Sequence, residues 1–307
     1  MAQANSAAAK PVKIKLKASP GDRAFAVAVV ILLVIIDIVM LYPFLYVIST
    51  AISDPGQVMA GKVWLYPLGF SADALKRILD YPNFLHSYGN TIIYSVLGTL
   101  CTLLLTSLTA YPLSRPNFKS KSVLSWIYLF TMFFGGGMIP TYIIYKGYGL
   151  IDNRLVMILP GALSAWNIIL CRTFFKTIPE SLHESAHLDG ASELFIMWKI
   201  ILPLSKPVMA TVALFTMVGI WNNYFTALLY FNDSTLYPLQ LILRMILINA
   251  QMQQTGAEKD VMNMASSIST QSLKSCAIVV SILPIICIYP FIQKYFVKGV
   301  MIGSVKE

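Results

Sequence analysis

Apolar residues fall along this chain in continuous blocks, not in alternation. Six blocks, at about 24–51, 90–113, 123–145, 155–175, 208–230 and 275–296, are each long enough for a helix to cross a bilayer. A helix satisfies its own backbone in hydrocarbon, whereas barrel strands would alternate lipid-facing and lumen-facing positions. The pattern predicts an all-α membrane protein with six transmembrane helices. Composition agrees: of 307 residues, 57% are hydrophobic and 12% charged, with a mean hydropathy of +0.68. That is far from an ordinary soluble domain.

Charge then sets the orientation. With the N-terminus inside, the tail, the 114–122 loop, the 172–206 interval and the C-terminus hold fifteen Lys and Arg against six acidic residues. The other loops hold eight against seven. The excess of Lys and Arg predicts cytosolic N- and C-termini. Lys10, Lys13, Lys15 and Lys17 lie in a tail, 1–22, whose composition reads as disordered. Juxtamembrane lysines serve topology, so the net charge of +9 calls for no nucleic-acid partner. The first block is too long for a signal-peptide core, which makes 23–307 one transmembrane domain. Asp37 within that block is expected to be a paired interior carboxylate and not a proton relay, because no second acid lies in any span.

Several candidate chemistries are weak. Gly56 to Val63 nearly spells a phosphate-binding loop but lacks the Ser or Thr for magnesium and follows a membrane helix. Any ATP chemistry then belongs to a partner chain. Cys101, Cys171, Cys276 and Cys287 lie in apolar blocks with no C-x-x-C pair and read as packing residues. Gly135, Gly136 and Gly137 before Pro140 permit either close helix packing or local unwinding, and packing is the expected use. The loop 231–272 begins with an apolar run, Tyr237 to Ile248, interrupted by Arg244. It is too short to span and suits an interfacial or partner-facing helix.

Amides inside spans are costly unless paired or facing a wet cavity. Trp166 and Asn167 in the fourth block, with Trp221, Asn222, Asn223 and Tyr224 in the fifth, therefore mark either interhelical hydrogen bonds or a pathway. Aromatic faces beside amides suit sugar rings, which offer C–H faces and hydroxyls.

The interval 177–207 is the longest well-charged stretch between two apolar blocks. Thr177 with Glu180 suggests a capping box, Asp189-Gly190 a helix stop, Ser192 a restart, and Pro203 with Pro207 a close. It also contains His183-Glu184-Ser185-Ala186-His187, the H-E-x-x-H pattern of zinc proteases. A third ligand would require the chain to turn back so that Glu193 reaches the ion, whereas the sequence there restarts a helix. No further histidine lies nearby in sequence.

The same residues fit a second pattern. Glu184-Ser185-Ala186, then Gly190, then Ile200-x-Leu202-Pro203 closely resembles the signature of binding-protein-dependent ABC importer permeases, with Ser185 for the usual alanine. Gly135 to Thr141, Asn232-Asp233 and Tyr237-Pro238-Leu239-Gln240 resemble the carbohydrate branch that carries oligo- and polysaccharides, alginate and rhamnogalacturonan types included. The resemblance implies a non-catalytic subunit that binds no cofactor, ATP and Mg being held by two partner ATP-binding subunits. A second, similar permease chain, an extracytoplasmic substrate-binding protein and the lipid of a bacterial plasma membrane complete the implied partners. Glu184, Ser185, Ala186, Asp189, Gly190, Leu202 and Pro203 would form the coupling element seated in the ATPase. Trp166, Asn167 and Trp221 to Tyr224 would line the saccharide path.

Overall fold

A computed structural model describes residues 19–255 and 270–304. Residues 1–18 of the expected disordered tail, the polar middle of the 231–272 loop and the last residues of the C-terminal tail lie outside the described residues; Pro20 to Asp22, counted in that tail, instead form the first turn of α1, capped by Ser19. Every strand-like contact among the described residues reduces to one isolated bridge, Ser53 with Phe70, so the class is all-α as expected.

Three helices are long and apolar enough to cross a membrane: α1 (Pro20–Ile52), α4 (Phe84–Ser114) and α14 (Thr270–Ser304), the last through its Thr270–Ile288 stretch. Between the first two lie α2 (Pro55–Met59) and α3 (Asp73–Leu79). The third apolar block is not a straight crossing. It forms α5 (Lys121–Phe133) and α6 (Met138–Gly147), which meet at 118°. The break is the glycine run. Gly137 has φ +82, and a Cβ at Gly135 or Gly137 would meet nothing within 4 Å. Close packing, the expected use of these glycines, is therefore absent; they supply a bend, because only glycine adopts that φ without strain.

The fourth block is likewise divided. A short 3₁₀ turn at Arg154–Met157 is followed by irregular chain and then α7 (Ala165–Phe175). The fifth becomes α11 (Lys206–Trp221) and α12 (Phe225–Tyr230), separated at Asn222–Tyr224. Between α7 and α11 run α8 (Glu180–Leu188), α9 (Glu193–Ile196), a π turn at Met197–Ile201, and α10 (Leu202–Leu204). The run Glu193–Leu204 meets α11 at 82°. If each bent pair is one span, the number of crossings rises from three to five.

α4 is the spine. It packs on α11 and α7 through a face of small and hydroxyl residues, Ser95, Gly98, Thr99, Thr102, Thr106 and Ser107, recurring at helical spacing. Such residues let helix backbones approach closely in lipid. At one end Ala110, Leu113, Ile168, Cys171, Phe175, Ile196 and Ile201 form a core; at the other, Ile78, Phe84, Trp221, Leu239, Ile242 and Leu273 form a second. This second core holds α13 (Leu239–Thr255) down by its apolar face.

α1 stands apart. Only Ser49, Thr50 and Ala51 are buried in it, and it leans on α14 through Pro43, Phe44, Val47 and Ile48. Asp37 is exposed, with no ion-pair partner among the described residues, contrary to the paired interior position expected.

Candidate functional site

The charged interval folds as two short helices turned on Gly190. Gly190 has φ +78, which ends α8, and Ser192 restarts the chain by accepting the Phe195 N–H at 3.3 Å. The expected capping box does not form. α8 begins at Glu180 after Pro179, while the Thr177 hydroxyl turns back to the Phe174 carbonyl at 2.8 Å, closing α7. Pro207 opens α11 in its first turn; it does not close the segment.

Glu180 is drawn elsewhere by charge. Arg115, buried at the end of α4, donates to its carboxylate at 3.2 Å. His183 lies between two acids, with Nδ1 3.7 Å from Glu180 and Nε2 3.2 Å from Glu193. Glu193 also accepts a hydrogen bond from the Tyr111 hydroxyl at 2.5 Å, and Arg115 sits over the Tyr111 ring at 5.3 Å. Burial raises the Glu193 pKa, but the hydrogen bonds from Tyr111 and His183 outweigh it and hold the carboxyl below its usual range. The result is a linked set, Arg115–Glu180–His183–Glu193–Tyr111, that fastens α8 and α9 to α4.

The histidines of this segment are held by their neighbours. The chain does turn back so that Glu193 reaches His183, against expectation, yet it arrives as a hydrogen-bond partner. Both ring nitrogens of His183 face carboxylates, and the His187 ring stacks on the His183 ring at 6.2 Å. Among the described residues, no group of three His, Cys, Asp or Glu is placed to hold a metal ion.

The outward side of the turn is different. Glu184, Ser185, Asp189 and Gly190 are exposed, and Glu184 has no ion-pair partner among the described residues. Leu188 is 88% exposed, and Leu194, Phe195, Trp198 and Leu204 are also exposed. Ala186 and Leu202 are half-buried, and Pro203 is exposed. An exposed carboxylate and exposed large apolar side chains on the same segment suit an interaction surface.

The polar residues of the fourth and fifth blocks do not act as one group. Trp221 is buried; its indole N–H donates to the Ser281 carbonyl at 3.0 Å and its ring meets Tyr88 edge-on. It ties α11 to α14. Asn222, Asn223 and Tyr224 form the break after it, with Asn223 capping α12 through the Thr226 N–H at 3.1 Å. Non-helical backbone at this depth is tolerated where it is packed in protein or lines a cavity. Trp166 is exposed and Asn167 half-buried in the first turn of α7.

Sequence reasoning missed what positions α13. From α4, the Asn90 amide donates to the Thr235 carbonyl at 2.7 Å and the Tyr94 hydroxyl to that of Leu236 at 2.9 Å. Thr91 accepts the Leu239 N–H at 2.7 Å. Asp152, held below the usual carboxylate range by hydrogen bonds from Asn232 and Asp233, clamps the same loop. Only their position, polar groups near the start of an apolar block, could have signalled this.

Residues 24–302 match the family described as the binding-protein-dependent transport system inner membrane component, and the chain belongs to that family. It is 42% identical over 284 residues to protein LplC of Bacillus subtilis, covering 92% of this chain and 95% of that one. It is 40% identical to the polygalacturonan/rhamnogalacturonan transport system permease protein YtcP of the same organism, covering 93% and 99%. Among solved structures it is similar to a chain of a bacterial ABC transporter involved in import of the acidic polysaccharide alginate. The TM-score there is 0.81, with 36% identity over 92% of this chain and all of that one. A second alginate transporter chain, in complex with a pentasaccharide-bound periplasmic protein, shares the fold at TM-score 0.55 and 15% identity. The chain is thus an ABC importer permease of the carbohydrate branch.

Proposed function

We propose that this chain forms half of the pathway of an ATP-driven importer for oligo- or polysaccharide fragments of acidic type, such as those of alginate or pectin. Six crossings in a bacterial plasma membrane, with both ends in the cytosol, fit this role. The turn 177–207 then faces the cytosol and receives the ATPase stroke. Glu184 pairs with a basic residue in a cleft of one of two ATP-binding subunits, and Leu188 fills an apolar pocket beside it. Ser185, Ala186, Asp189, Gly190, Leu202 and Pro203 shape the element. ATP and Mg are held by those subunits, and this chain performs no catalysis. A second permease chain, different from this one, completes the pathway, and an extracytoplasmic binding protein delivers the saccharide over 231–272.

The observation that supports this most directly is the Gly190 turn, which leaves Glu184 unpaired and Leu188 extended into solvent. Transmission follows from the linked side chains. A push on α8 passes through Glu180, His183 and Glu193 to Arg115 and Tyr111, hence to α4 as well as α11. Trp166, Asn167, Asn222, Asn223 and Tyr224 line the saccharide path in this reading. Trp221, buried, supports it from behind.

The test is uptake against ATP hydrolysis in the assembled importer. Glu184→Ala and Gly190→Val should leave the chain in the membrane and hydrolysis measurable while uptake drops at least tenfold. A β-branched residue at φ +78 is strained, so the valine re-aims the turn. Normal uptake by both variants would sink the assignment.

A further inference from the structure

We infer that Arg244, laid over Tyr224 and flanked by the Gln240–Asn222 amide pair, reads the carboxylate of a uronate unit as an acidic saccharide enters the pathway. The inference rests on the saccharide pathway proposed above and names its charge-reading group.

α13 has two faces. Leu239, Ile242, Leu243 and Ile246 are buried against α4 and α14. Gln240 and Arg244, four residues apart, share a face directed away from that core, since Arg244 is exposed and Gln240 reaches Asn222 beyond the end of α11. The Arg244 guanidinium lies 4.3 Å from the centroid of the Tyr224 ring. A guanidinium held over a ring face keeps N–H groups available for a second partner. No carboxylate pairs with it among the described residues. An unpaired guanidinium is costly against hydrocarbon, so this face suits water or a polar path.

The chemistry of the patch is selective. A fixed guanidinium matches a carboxylate with two parallel N–H bonds, a geometry a lysine cannot reproduce. The Gln240 amide donates to the Asn222 side-chain oxygen at 3.3 Å and the Asn222 amide to the Val218 carbonyl at 3.0 Å, which leaves the Gln240 oxygen to accept from a sugar hydroxyl. The break at Asn222–Tyr224 sets these groups side by side. A neutral sugar would gain the amides but not the ion pair. A uronate gains both.

The experiment compares uptake of a galacturonate trisaccharide with that of its carboxyl-reduced counterpart, in the importer assembled with its partner subunits. Arg244→Gln should lower the ratio of acidic to reduced uptake about tenfold, as expected for loss of a charge-assisted pair of hydrogen bonds. Arg244→Lys should lower it by about threefold, keeping charge but losing the fork. Gln240→Glu, which places a competing carboxylate one turn before Arg244, should lower it as well and guards against a folding defect in the first variant. An unchanged ratio in Arg244→Gln, with uronate uptake intact, overturns the subsite and leaves the importer reading standing. Equal losses on both sugars assign Arg244 to packing or to a lipid headgroup and also overturn it. Wild-type uptake of the reduced sugar alone removes the acidic-saccharide reading, and the subsite with it.

Discussion

Helices α1 and α4 are nearly equal in length, at 33 and 31 residues, and opposite in what they bury. α1, whose middle from Val29 to Leu41 is Val, Ile and Leu save for Asp37 and Met40, buries three residues near its end. α4, punctuated by Ser, Thr, Gly and Asn, buries fifteen. In water the greasier helix would take the core. In a bilayer, Leu is as comfortable against lipid tails as against another helix, so burial instead follows close approach and interhelical hydrogen bonds. The comparison teaches that here polarity within an apolar block, not hydropathy, reports which helix is central.

That contrast can be broken most directly at Gly98. A Cβ there would come within 2.5 Å of the Ile220 terminal methyl and 3.9 Å of the Ile158 Cα. The methyl can yield to an alanine, but Gly98→Leu overfills the α4–α11 seam. It should cost roughly 1–3 kcal/mol, read as a lowered melting midpoint of the detergent-solubilised importer. A smaller effect is expected where α4 meets the charged turn. Tyr111→Phe removes the hydroxyl bonded to Glu193 and should cost about 1 kcal/mol in the same measurement.

The pH dependence sharpens that point. The Glu193 carboxyl titrates below its usual value near 4.5 in the folded chain. A depressed folded pKa contributes stability that is present above about pH 4.5 and is lost as pH falls through the lowered value. The difference between wild type and Tyr111→Phe should therefore be constant near neutrality and shrink on acidification below that range. A difference that grew on acidification would contradict the ionised contact. Last and smallest, Leu33→Ala on the exposed face of α1 should change the midpoint by less than about 0.5 kcal/mol equivalent. A large effect would mean that α1 has a protein neighbour along that face.

The same comparison explains how far the sequence could be read. α1, α4 and α14 were legible, since each is one apolar block and one helix. The bend at Gly135–Gly137 and the interruption at Asn222–Tyr224 were not, because a broken and a continuous helix have the same hydropathy. Within the site, the Glu184 to Gly190 spacing was visible as a motif, and the positive φ at Gly190 followed from residue type. The bond from Tyr111 to Glu193 was invisible, because it joins residues 82 apart through a turn whose direction no local pattern specifies. Trp221 and Asn222 show the limit most sharply. They are adjacent and both suited to a pathway, yet one closes a helix seam and the other faces outward.

The sparse packing of α1 has a consequence in time. It is made well before α14, the helix it leans on. Some 217 residues lie between Ile52 and Thr270, the end of one and the start of the other. At roughly 5–20 residues per second, α1 waits on the order of 10–40 s for its partner to emerge. A helix lined with Ser and Thr would spend that interval seeking the wrong neighbours. One made of Val, Ile and Leu can wait alone in lipid, and its sequence suits a segment that must enter the membrane long before it has anything to hold.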